Sequence, residues 1–109
     1  MQWRVFSGND GQSHYEELPL SGEPVFTLAL RDGEEMVLRR EPMPGWHNPP
    51  RRQYTIVLEG AAEVGFGDGS TLRANKGDMI LMEDMTGQGH TTTAVEEPWL
   101  LATIAAPAS

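Results

Sequence analysis

A chain of 109 residues has room for one hydrophobic core, so we expect a single domain that spans residues 1–109. Its formal net charge is −8 and Lys76 is its only lysine, which argues against nucleic acid as a partner because such a surface repels phosphates. The chain has no cysteine and no apolar run near the roughly 20 residues that a membrane span needs, which predicts a soluble, cytoplasmic protein with neither disulfides nor a membrane partner.

Short runs rich in β-branched and aromatic residues recur between clusters of Gly, Pro, Asn and Asp, and no segment has a sustained helical period. The pattern predicts ten strands, in chain order at 2–6, 14–18, 24–30, 35–41, 53–59, 61–66, 70–74, 78–83, 90–96 and 99–105. Tight reversals are expected at the glycine-containing links 31–33, 59–60, 67–69 and 75–77. This spacing predicts an all-β sandwich or small barrel with its core at about 24–106 and an N-terminal arm at 2–18.

Two of the predicted strands, 78–83 and 99–105, carry apolar residues on both faces. A strand that is covered on both sides indicates either a sheet buried inside the fold or a strand shared with a second subunit. We favour a homodimer.

Two of the three histidines stand at places where they can meet. His47 precedes the predicted strand 53–59, and His90 follows the loop sequence EDMTGQG. Three predicted turns lie between them, so the chain can return and place both imidazoles at one end of a barrel. Pro49 and Pro50 cannot donate to a sheet ladder, so we expect an extended lip at the pocket before regular pairing begins at Gln53.

The segment around His47 resembles the first motif of the cupin family, in which His-x-His is followed three or four residues later by Glu and then, after six intervening residues, by glycine. The matching positions here are His47, Pro49, Gln53 and Gly60, so the spacing is kept while the second histidine and the glutamate are replaced. The segment from Gly77 resembles the second cupin motif, with Glu83 in place of the family's proline and with the histidine delayed to His90. The resemblance spans about residues 35–106 and implies a jelly-roll barrel, also called a double-stranded β-helix.

The resemblance implies a metal site at the surviving ligand positions. His47, Gln53 and His90 would bind a divalent first-row transition metal (Mn, Fe, Ni or Zn), because an amide oxygen can replace a carboxylate as a neutral donor. Water or substrate would fill the position that Pro49 leaves vacant. The alternative is a cavity without metal, in which the two histidines form hydrogen bonds.

Other side chains are candidates for catalysis and substrate binding. Glu83 is the candidate acid or base, with a pKa raised by apolar neighbours at a barrel mouth such as Met79 and Leu81. Asp84, the next residue, is expected to brace the loop by accepting backbone N–H bonds.

Arg40 and Arg51 are candidate anchors for a substrate carboxylate, since a guanidinium binds a carboxylate in two-pronged geometry. The alternative for both is charge balance on a solvated surface. Trp46 is a candidate wall of the pocket, or else packs at its rim.

Two functions follow from this interpretation. The first is a cupin-type enzyme that acts on a small organic molecule, with a carboxylate as one candidate, and uses a metal as a Lewis acid. A lyase, an isomerase, a cyclase and a dioxygenase all remain open, because a fold does not select a reaction. The second is a non-catalytic ligand-binding cupin with a degenerate or empty metal site, which the replacement of histidine by Pro49 favours.

Overall fold

The structure, a computed structural model, describes residues 1–18 and 35–106. This part of the chain forms seven strands and no helix, so no helix in it could cross a bilayer. The strands are β1 (Gln2–Ser7), β2 (Ser13–Glu17), β3 (Met36–Arg39), β4 (Gln53–Gly65), β5 (Thr71–Asn75), β6 (Met79–Glu83) and β7 (Thr91–Ala105). The predicted all-β class is therefore confirmed for these residues. The predicted strand 24–30 and the predicted turn 31–33 lie outside them.

The seven strands form one mixed sheet with β4 at its centre. β7 runs antiparallel along one edge of β4 for almost its whole length. The other edge of β4 pairs with β6 at residues 53–56 and with β5 at residues 61–65. β3 extends the sheet beyond β7, while β1 pairs parallel with β6 and antiparallel with β2. The N-terminal arm predicted from the sequence is thus integrated into the sheet through β1.

Two of the predicted reversals are wrong, because the chain keeps its direction through them. The predicted strands on either side of Gly60 are one strand, β4, and the register of its pairing with β7 shifts at this point. β5 and β6 both run antiparallel to β4, so the chain keeps its direction through Lys76 and Gly77. In contrast, the predicted reversal at 67–69 is confirmed, with the Gly69 amide donating to the Phe66 carbonyl at 3.0 Å.

The sheet bends at these two glycine positions, Gly60 and Gly77. β7 has 15 residues and would be about 46 Å long at about 3.3 Å per residue, but the largest extent of the protein is 34 Å. The bend in β4 lies at Gly60, whose φ is 74°. On the neighbouring edge, the Gly77 amide donates to the Val57 carbonyl at 2.7 Å and the Val57 amide to the Asp78 carbonyl at 3.0 Å. A bulge that inserts extra backbone bends a strand and increases its twist, which lets the sheet curve around its core.

The core lies on the concave side of this curve. Its buried residues come from five of the strands and from the segments beside them: Val5, Val57, Ala62, Val64, Phe66, Leu72, Ala74, Ile80, Met82, Trp99 and Leu101. Residues 53, 55 and 57 of β4 face the interior, and beyond the bulge the interior positions become 62 and 64. Odd-numbered residues therefore face the interior before the bulge, and even-numbered residues face it afterwards.

Candidate functional site

A cavity of about 320 Å³ lies inside the curve of the sheet. Its floor consists of core side chains, including Val57, Ile80, Met82 and Leu101. Its polar lining includes His47, Gln53, Thr55, His90, Thr92 and Thr103. The charged residues in its wall, within the described part of the chain, are Glu35, Arg39 and Arg51. A cavity of this size with an apolar floor and a few converging polar groups is typical of a small-molecule site.

The structure brings His47 and His90 together, as the sequence predicts. Their backbones form an isolated antiparallel bridge, with the His47 amide donating to the His90 carbonyl at 3.0 Å and the reverse bond at 2.9 Å. The two imidazole rings are 4.6 Å apart, centre to centre, and meet edge to face. Direct backbone pairing thus brings together two histidines that are 43 positions apart in the chain.

The hydrogen bond of the His47 ring fixes its tautomer. Nδ1 lies 2.9 Å from the carbonyl oxygen of Gly45, and a carbonyl can only accept, so Nδ1 carries the proton and Nε2 carries the lone pair. Burial lowers the pKa of His47, and the charges of His90 and Arg39 lower it further against the opposing effect of the Gly45 hydrogen bond and Asp84. The neutral, lone-pair form of this imidazole is therefore favoured.

His90 is oriented by a buried carboxylate. Its Nδ1 lies 2.5 Å from Oδ2 of Asp84, which also accepts a hydrogen bond from Oγ of Ser13 at 2.5 Å. The side chain of Asp84 is completely buried, and its other oxygen, Oδ1, has no partner within the described residues. Because the carboxylate accepts the Nδ1 proton, the neutral form of His90 carries its lone pair on Nε2. The Asp84 carboxylate thus holds the His90 ring and the Ser13 hydroxyl rather than bracing backbone N–H groups as expected.

The loop from Asp84 to His90 is held by close backbone contacts. Gly87 and Gly89 have φ values of 79° and 77°, as expected for tight turns around Gln88. A Cβ at Gly89 would collide with the carbonyl oxygen of His47, so the bridge between the two histidines requires glycine here. The Asn48 side chain donates to the Asp84 carbonyl at 2.8 Å and so attaches this loop to the segment that carries His47.

Gln53, the third predicted ligand, also lies in the cavity wall. It is the first residue of β4, where the sequence predicts that regular pairing begins, and is 9% exposed. Within residues 1–18 and 35–106, the side-chain amide of Gln53 forms no hydrogen bond, so it is available to a ligand in the cavity. Pro49 and Pro50 line the cavity just before it.

The donor set is two imidazole nitrogens and one amide oxygen. Within the described ranges, no group of three or more His, Cys, Asp or Glu side chains is arranged to bind a metal ion. However, both histidines donate Nδ1–H to an oxygen, which is the outer-shell arrangement that orients metal-binding imidazoles. These donors suit a divalent ion that is bound without an anionic ligand and therefore weakly.

Of the three residues predicted to bind substrate, one lies in the cavity wall and two lie outside it. Arg51 lies in the wall, with one N–H donated to the Glu35 carbonyl at 2.7 Å. Arg40 is not among the lining residues; it lies 2.8 Å from Glu59 on the outer side of the sheet. Trp46 is also absent from the wall and is 48% exposed.

Glu83 lies outside the cavity and is held in ion pairs. It contacts Nε of Arg4 and, at 2.5 Å, Nε of Arg52. Burial alone would raise the pKa of Glu83, but the hydrogen bonds from Arg4 and Arg52 and their charges reverse the shift and lower it. The raised pKa expected for Glu83 is therefore wrong. The expectation that Met79 and Leu81 line the mouth is also wrong, because β6 turns Ile80 and Met82 toward the cavity instead.

Comparison with family models, curated proteins and solved structures finds no match for this chain. The assignment to a family therefore depends on the chain's own motif residues and on the geometry of its cavity.

Proposed function

We propose that this protein is a small cupin-type barrel that binds a small organic molecule in its cavity and acts on it beside a divalent metal. The observation that carries the proposal is the pairing of His47 and His90, each with its Nδ1 proton on an oxygen acceptor and its Nε2 lone pair available. The cupin motifs anticipate this pairing from residues that are far apart in the chain. The bent antiparallel strands that surround the cavity support the jelly-roll interpretation.

His47, Gln53 and His90 are the residues that would hold the metal. When bound, it would supply Lewis-acid polarisation of a substrate oxygen. The chain's own residues position the substrate: the apolar floor excludes water, while Thr55 and Thr92 offer hydroxyl groups in the wall. The identity of the reaction stays open among lyase, isomerase, cyclase and dioxygenase. A cytoplasmic location and a homodimer also stay predictions.

Metal titration of the full chain tests this proposal. Protein purified without a histidine tag and stripped with a chelator is titrated with Mn²⁺, Fe²⁺, Ni²⁺ and Zn²⁺, and binding is followed by calorimetry and by elemental analysis after gel filtration. We expect binding of a single ion per chain, and His90→Ala should weaken it by more than about 100-fold because a direct ligand is lost.

His14→Ala is the matched control. His14 is the third histidine of the chain and lies 3.0 Å from Asp10 on the surface, away from the cavity. The control should bind metal as tightly as the parent protein. Equal metal binding by the parent and by His90→Ala, or no binding by either, would remove the metal from the proposal.

The second candidate is a non-catalytic protein that binds a small molecule in the same cavity. The neutral donor set favours it, because the described residues offer no carboxylate beside the two imidazoles as a metal ligand. Ligand retention distinguishes the two functions. A metabolite that co-purifies unchanged with chelator-treated protein supports the binding module, whereas conversion of that metabolite only after metal addition supports the enzyme.

A further inference from the structure

The two Arg-Arg pairs of the chain are each divided between the cavity and the outside. Arg40 is paired with Glu59 at 2.8 Å and Arg52 with Glu83 at 2.5 Å, both outside the cavity. Their neighbours Arg39 and Arg51 line the cavity wall. The division between Arg39 and Arg40 falls at the end of β3: Arg39 is the last residue of the strand and lines the cavity, whereas Arg40 follows the strand and does not.

Arg39 and Arg51 also differ from the other arginines in their partners. Among the arginines in residues 1–18 and 35–106, Arg4, Arg40, Arg52 and Arg73 each form a salt bridge with a glutamate. Arg39 and Arg51 form none with the carboxylates of this part of the chain, although the protein carries sixteen acidic residues. Of the six arginines that the structure describes, those without a carboxylate partner are thus the two in the cavity.

The charge of the cavity is opposite in sign to that of the molecule. Two guanidinium groups face one carboxylate, that of Glu35, among the described residues that line it. The lining therefore carries one net positive charge while the whole chain carries −8. Low-dielectric walls focus such a field and concentrate a small anion in the cavity.

We propose that the ligand of this cavity is a small carboxylate, anchored by Arg39 and Arg51, with its organic part over the apolar floor. This inference rests on the proposed function only in using the same cavity. A single net positive charge suits a monoanion, and a planar guanidinium matches a carboxylate with two parallel hydrogen bonds. Arg39 thus takes the role that the sequence assigned to Arg40.

Three probes of similar shape test the proposal: benzoate, its neutral isostere benzamide, and phenyl phosphate. Each is titrated into the full chain in the presence of EDTA and again after metal loading, and the Nε–Hε signals of the arginines are followed by NMR. We expect benzoate to bind at least about tenfold more tightly than benzamide, as charge-assisted hydrogen bonds are stronger than neutral ones. The signals of Arg39 and Arg51 should shift and that of Arg40 should not.

Matched variants locate the anchor. Arg39→Gln and Arg51→Gln should each lower benzoate affinity by about tenfold or more and leave benzamide affinity unchanged, while Arg40→Gln behaves as the parent protein. Equal binding of benzoate and benzamide, absence of binding by both, preference for phenyl phosphate, or equal effects of Arg39→Gln and Arg40→Gln would each overturn the proposal.

Metal binding separates this proposal from the function above. Arg39→Gln and Arg51→Gln should still bind one metal ion per chain, because neither belongs to the donor set. If the chain binds no metal but discriminates benzoate from benzamide in EDTA, the carboxylate site stands and the metal does not.

Discussion

At the scale of single residues, the site depends on a carboxylate that touches no ligand. Asp84 is buried beneath His90 and accepts the Nδ1 proton of that ring, while the Ser13 hydroxyl binds the same oxygen. Groups of this kind fix the tautomer and direction of an imidazole and raise its basicity as a ligand. Asp84 is therefore a positioning residue for His90.

Asp84→Asn should lower metal affinity by about 10- to 100-fold, because an amide no longer supplies the charge that orients His90. The measurement is the metal titration described above, combined with nitrogen-15 chemical shifts of the His90 ring. In the parent protein the proton resides on Nδ1, and in the variant we expect it to move toward Nε2.

Asp10→Asn is the control for this change. Asp10 also contacts a histidine, His14, at 3.0 Å, but on the exposed surface. This variant should retain the metal affinity of the parent. Unchanged affinity and an unchanged His90 tautomer in Asp84→Asn would show that the carboxylate has no positioning role.

The sequence predicts the two histidines of the site but not the hydrogen bonds of Asp84 and Ser13 that hold the His90 ring. His47 and Gln53 keep the spacing of the first cupin motif, and His90 stands later than the second motif places its histidine, yet all three line one cavity. Asp84 stands six positions before His90, and this spacing is the available signal for its role. Ser13 has no such signal, because its contact spans 71 positions and depends on how β2 joins the sheet.

At the scale of elements, the curvature of β4 depends on Gly60. A Cβ at this position would collide with the carbonyl oxygen of Glu96 and lie 2.6 Å from that of Pro98, both in the backbone of β7. The φ of 74° would strain any other residue as well. The close pairing of the two long strands at the bend thus requires glycine.

Gly60→Ala should lower the free energy of unfolding by about 3 kcal/mol or more, since backbone atoms cannot move aside cheaply. Gly69→Ala is the control, because Gly69 has a φ of 87° but open space where a Cβ would lie. It should cost about 1 kcal/mol, from backbone strain alone. Urea denaturation measures both, and equal losses would mean that the contact with β7 is unimportant.

The positive φ of Gly60 was predictable from the sequence, but its role was not. Glycine occupies the same backbone region in a reversal and in a bulge, and only the pairing of the flanking segments distinguishes them. Residues on both sides of Gly60 pair with the same partner, β7, so the strand continues. The same ambiguity applies to Gly77.

At the scale of the whole molecule, ion pairs join segments that are distant in the chain. Glu83 at the end of β6 contacts Arg4 of β1 and Arg52 just before β4. The folded state lowers the pKa of Glu83 below its ordinary value of 4.5. The resulting stabilisation is complete above the pKa of the unfolded chain and is lost as the pH falls through the lower pKa of the folded state.

Glu83→Gln should therefore reduce stability at pH 7 by about 1–2 kcal/mol and flatten the loss of stability below pH 4.5. Urea denaturation between pH 3 and pH 7 measures this effect. Glu41→Gln, which alters an exposed residue with no salt bridge in the described part of the chain, should keep the parent's pH dependence. A parallel acid limb in Glu83→Gln and the parent would contradict the role of these ion pairs.

The contact of Gly89 with the His47 carbonyl has a consequence for finding related proteins. A methyl group there would separate the two backbones that bear the imidazoles, so glycine directly before the second histidine is a steric condition for the arrangement. Aspartate six positions before that histidine supplies its acceptor. Together they define a short signature that can identify distant chains with the same paired geometry.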